Sequence, residues 1–172
     1  MTDQPETAIT RNVQRCRDRD GMGEADAEAI LDAHRQIELL GRSEISASHH
    51  SDVLMRSVKM AREVGGLANA LKNKQAAEDI VRWIHRSYDN EETNRGYRKC
   101  LRAFGRHALG VDETPDTLAW VPSGYSNTYD PAPDPGEMYR WDEHVKPMIR
   151  EASNVRDEAL VALCWDLGLR TS

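Results

Sequence analysis

Between Glu24 and Leu109 the apolar residues of this chain return every third or fourth position, and no stretch alternates them with polar residues as a strand does. A period near 3.6 turns one stripe of a helix toward a core, whereas a strand needs a period of two. The chain is therefore read as all-α. Ile30, Ala33, Ile37 and Leu40 mark a helix over 24–40, with Gly41 as its C-cap. Leu54, Val58 and Ala61 mark a second over 49–64, stopped by Gly65-Gly66. A short helical piece over 67–72 precedes a helix over 75–88, whose stripe is Ala77, Ile80, Val81, Ile84 and Tyr88. Asp89-Asn90 then caps a helix over 91–109, with Glu91 and Glu92 suited to its positive end.

The pattern breaks after Leu109. Five of the seven prolines fall at Pro115, Pro122, Pro131, Pro133 and Pro135. Proline cannot continue a helix and pushes its predecessor into extended backbone. Residues 111–135 are read as a linker or an ordered crossing segment, and as the boundary between a helical domain over 24–110 and a second segment over 136–172. In that segment Asn154 is placed to cap an apolar helix ending at Gly168. Residues 1–23, polar and rich in mixed charge, are read as a loose arm holding at most one short helical turn.

The net charge of −6 is unevenly spread. Residues 1–53 hold 6 basic and 11 acidic groups, residues 54–110 hold 12 and 6, and residues 111–172 hold 5 and 12. A basic middle between acidic flanks is the footprint of one surface meeting a polyanion. At about 100° per residue, Arg95, Arg98, Arg102 and Arg106 share one arc of the 91–109 helix, with Lys99 beside it. Tyr97, Leu101, Phe104 and Ala108 lie opposite. Such a stripe is either a solvated face or a phosphate-binding one; like charges at these spacings repel, and phosphates relieve that repulsion. Arg95 and Arg98, nearest the helix start, are the expected base-reading pair. Lys59 and Arg62, on one side of the second helix with Arg56, and Lys72 and Lys74, in the turn after the short piece, are candidates to extend the patch.

Other chemistries find little footing. Adjacent His49 and His50 point in different directions on a helix, so no metal site is expected. No glycine-rich phosphate loop or nucleophile motif occurs, and no cofactor is expected. Trp120, Trp141 and Trp165 suit packing better than base stacking. Cys16, Cys100 and Cys164 stand too far apart for a zinc ribbon and read as reduced thiols. With no basic-then-apolar leader and no apolar run of about 18 residues, a cytoplasmic protein without a membrane partner is expected.

The closing stretch, NVRDEALVALCWDLGLRTS, resembles the opening of the catalytic domain in tyrosine recombinases, the phage-integrase family. The matching residues are Asn154, Arg156, Asp157, Ala159, Leu160, Gly168 and Arg170. Ahead of the linker, Thr93, Arg95, Tyr97, Leu101, Arg102 and Phe104 fit the late helix of that family's SAM-like core-binding domain. The stretches AAEDIVRWIHRSYDNEETNRGYR and LAWVPSGYSNTYDPAPDPGEM look like those of haloarchaeal members. The resemblance spans roughly residues 24–172 and implies double-stranded DNA as partner, together with other recombinase protomers. Its first catalytic arginine would be Arg170, which in the family holds the scissile phosphate. The family's lysine, second arginine and tyrosine nucleophile match nothing here, so the chain is expected to be the DNA-binding front portion of a site-specific recombinase, catalytically incomplete by itself. The alternative is a helical regulatory module that partners a full-length recombinase without touching DNA.

Overall fold

The computed structural model of the protein describes residues 4–41, 44–125 and 139–167. The chain divides into two compact units, Met1–Tyr129 and Asp130–Ser172. All regular elements among the described residues are helical.

The first unit holds α1 (Pro5–Arg17), α2 (Glu24–Leu40), α3 (Ala47–Glu63), α4 (Leu67–Ala70), α5 (Lys74–Ser87), α6 (Glu91–Leu109) and α7 (Asp116–Ala119). Local chemistry sets most of the ends. Ser46, Asn73 and Asn90 each accept a hydrogen bond from a backbone N–H in the first turn of the following helix. Gly110, left-handed at φ 62°, closes α6 by turning its N–H back to the carbonyls of Arg106 and His107. Between α3 and α4, Gly65 and Gly66 both take positive φ, which a side chain would resist.

One core runs through this unit. α1 packs on α3 and α2 packs on α6. Ile30, Leu54, Met60, Leu67, Ile80, Ile84, Leu101 and Phe104 are almost entirely withdrawn from solvent. Buried Asp26 accepts from the Ala68 N–H at 2.7 Å, tying α2 to the start of α4. Leu40, placed on the α2 stripe from the sequence, instead ends up half exposed at the helix end.

One boundary differs from the sequence reading, and at a second the structure decides between its two alternatives. Residues 5–17 are a 13-residue helix rather than a loose arm. Pro5 starts it, and Ile9, Val13 and Cys16, spaced by four and three, enter the core. Residues 111–125 are the ordered crossing segment and not a free linker. Leu118 and Val121 are buried in the same core. Gly105 lets this crossing come close, since a Cβ there would lie 2.5 Å from Leu118 Cδ1. Pro131, Pro133 and Pro135 lie outside the described residues.

The second unit holds α8 (Lys146–Glu151), entered through a wide π turn at Trp141–Val145, and α9 (Val155–Leu167). Asn154 caps α9 as expected, its side-chain oxygen accepting the Asp157 N–H at 2.9 Å. Trp141 and Trp165 meet at 5.9 Å between ring centroids. Gly168 and Arg170 lie outside the described residues.

Candidate nucleic-acid interface

α6 divides its circumference into three. Tyr97, Leu101 and Phe104 enter the core, joined by Cys100 and Ala103. A second side, read from the sequence as part of one open cationic stripe, is covered by the protein itself. Arg98 is only 4% exposed. Its Nη2 donates to Glu91 Oε1 at 2.8 Å and to the Gly124 carbonyl at 3.2 Å. Arg102 Nη1 donates to the carbonyls of Ala119 and Val121 at 2.7 and 2.9 Å. Arg95 lies over the Tyr125 ring, 4.2 Å from its centroid, and donates to the Tyr125 hydroxyl at 3.2 Å. That hydroxyl donates to Glu92. Three arginines of the stripe thus grip the chain crossing over 119–125. The physical reason is that the end of the short α7 and the chain after it leave carbonyls without helical partners, and a guanidinium presents several donors to meet them.

The third side stays open. Lys99 is exposed and Arg106 half exposed. Beside them runs α3. His49 meets His107 edge to face at 6.4 Å, Arg56 lies 5.3 Å over the Tyr97 ring, and Lys59 Nζ lies 5.5 Å over the Tyr88 ring. Rising numbers on α3 pair with falling numbers toward α6, so the two helices are antiparallel along this seam. Gly96 makes room for it: a Cβ there would collide with the Arg56 guanidinium. Beneath the two cations, Tyr88 and Tyr97 stack at 4.8 Å with their hydroxyls 2.8 Å apart, and Trp83 meets both rings edge-on. Burial and the Tyr88 hydroxyl raise the Tyr97 phenol far above its ordinary range, keeping it neutral. The Cys100 thiol, also on this seam, is pushed up to about 11 by burial.

The remaining sequence candidates separate. Arg62 lies against Gly21 and within 4.0 Å of Asp20, at the turn between α1 and α2, away from the α6 seam. Lys74 Nζ sits 5.6 Å over the Trp120 ring, beside the start of the crossing segment, and Lys72 is exposed nearby. Thus Lys59, Arg56, Lys99 and Arg106 are strung along the seam, with Lys59 beside Tyr88 at one end of α6 and Arg106 next to His107 at the other. Sequence spacing gave no sign of the Gly96 contact or of the Tyr88–Tyr97 stack, since both join residues through the tertiary fold.

The histidines form pairs. His34 Nδ1 and His50 Nε2 are 3.0 Å apart, so one ring donates and the other accepts. Among the described residues no group of three His, Cys, Asp or Glu side chains is gathered as a metal would require. No described helix is long and apolar enough to cross a membrane. Comparison with family models, with curated proteins and with solved structures finds no match to this chain.

Proposed function

We propose that the first unit binds double-stranded DNA along the α3–α6 seam, as the DNA-binding front portion of a tyrosine-type site-specific recombinase. The observation that carries the reading is the row of Lys59, Lys99 and Arg106 on two antiparallel helices, with half-buried Arg56 between them against Gly96. Arg56 and Lys59 are held above aromatic faces, which fixes their heads without neutralising them. Cations ordered before binding lose less side-chain freedom on meeting a phosphate. Phosphate contacts supply affinity and orientation, and their count appears as the salt dependence of binding. The recombinase assignment rests on the motif around Asn154, Arg156 and Asp157 together with the basic helix. Fluorescence anisotropy with a random-sequence duplex tests the DNA reading. Affinity should fall steeply between about 50 and 200 mM salt, with a log–log slope of roughly −0.9 per phosphate contact.

A second reading, a module that docks on another protein, is favoured by the second unit. α9 exposes Val155, Leu160, Leu163 and Trp165, and a recess of about 440 Å³ opens between Trp141, Leu163 and Trp165. Exposed apolar surface of this kind commonly marks a protein contact.

A further inference from the structure

We propose that residues 122–125 are a displaceable strap, occupying Arg95 and Arg98 in competition with a DNA phosphate backbone. The inference rests on the DNA reading above and adds a regulatory step to it.

The crossing segment is anchored unequally. Its first part is fixed by apolar burial, with Leu118 and Val121 in the core. Arg102 holds the carbonyls of this fixed part. Beyond Val121 the anchoring changes character. Pro122, Ser123, Gly124 and Tyr125 are all exposed, and a Cβ on Gly124 would meet nothing within 4 Å. Among the described contacts that join them to α6 are Arg98 on the Gly124 carbonyl, Arg95 on the Tyr125 ring and hydroxyl, and that hydroxyl on Glu92, all of them polar. The Tyr125 contacts are exposed and the Arg98 bond to Gly124 is only part-buried, so their loss costs a few polar contacts and no apolar burial, and this end can detach without opening the core.

The strapped state also leaves donors unmet. The Nε–H groups of Arg95 and Arg98 are buried and have no acceptor. Each guanidinium keeps one carboxylate partner on its own helix, Glu92 for Arg95 and Glu91 for Arg98, and spends further donors on the strap's neutral groups, a phenol and a carbonyl. A phosphodiester offers charged acceptors at the same place, and charge-assisted bonds are roughly twice as strong. Lys99 is one turn from Arg95 and next to Arg98 on α6, so phosphates seated on Lys99 would continue onto them once the strap lifts. The strap then lowers apparent affinity by the fraction of molecules in which it is open.

The experiment is duplex binding by anisotropy across salt for the wild type, Tyr125→Ala and Tyr125→Phe, with thermal melts on the same samples. Neither substitution changes net charge, so an altered salt slope reports arginines newly meeting phosphate. Tyr125→Ala should bind severalfold tighter, with a slope steeper by up to about 1.8 for two arginines. Tyr125→Phe keeps the ring over Arg95 but loses the hydroxyl, and should fall between. Binding by Tyr125→Ala alone, with a silent wild type, supports the strap in its tightest form. If the wild type binds and Tyr125→Ala matches it or binds more weakly, the strap is a fixed part of the fold and the DNA reading survives without it. If all three proteins melt cooperatively and none binds duplex at low salt, the strap and the DNA reading fall together.

Discussion

At the scale of single residues, Arg98 shows how far a cation's role depends on what crosses above it. Its position on the α6 wheel follows from counting, and so does its nearness to Glu91, seven residues or about two turns earlier. The Gly124 carbonyl comes from 26 residues later, and no local spacing announces it. Arg98 and Glu91 form an ion pair with side chains only 5% and 17% accessible. Removing one member strands a buried charge, so Arg98→Ala should lower stability by about 3 kcal/mol, measured by urea unfolding. That is comparable to the loss expected for Phe104→Ala, about 3–5 kcal/mol. A purely solvated arginine would cost almost nothing. The histidines give a second expectation at this scale. Burial, ahead of the nearby Arg17 and Arg35 charges, lowers His34 even though Glu38 raises it, and burial with Arg106 and His49 lowers His107. Below their ordinary value of 6.5 the unfolded chain therefore holds more protons than the folded one. Their contribution is fully present above that pH and is lost as pH falls below it. Melting temperature should drop on acidification from about pH 7 to 5, and His34→Asn with His107→Asn should flatten the drop. A profile unchanged by the double substitution would contradict this.

At the scale of elements, the helices that announced themselves were those whose caps and stripes are local. Asn90, Glu91 and Gly110 bracket α6 within its own sequence, and Ala77, Ile80, Val81 and Ile84 stripe α5. α1 was hidden because Arg15, Arg17, Asp18, Arg19 and Asp20 crowd its end with charge, masking the spacing of Ile9, Val13 and Cys16. For 111–125 the sequence leaves a linker and a packed crossing both open. Its prolines correctly exclude a long helix, but proline also suits a rigid segment packed on a neighbour, and only Leu118 and Val121 carry the contact. Ile9→Ala should therefore destabilise the first unit by about 2–5 kcal/mol, as core truncations do. A loose arm would leave the urea midpoint where it is.

At the scale of the whole molecule, the concentration of positive charge in residues 54–110 is put to two uses. Arg95, Arg98 and Arg102 hold the protein's own chain. Lys59, Lys99 and Arg106 face outward along one seam, with half-buried Arg56 lying over Tyr97 between them. Charge distribution alone foretold a basic surface and its helix, but not this division, because the covering carbonyls are invisible to a charge count. The account stands on the outward set. Its most direct test compares duplex binding by the wild type with a Lys59→Gln, Lys99→Gln, Arg106→Gln triple variant over a range of salt, after melts establish that both are folded. The account predicts weaker binding and a log–log salt slope flatter by as much as about 2.7, three contacts at roughly 0.9 each. Equal affinity and equal slope for the two proteins would contradict it.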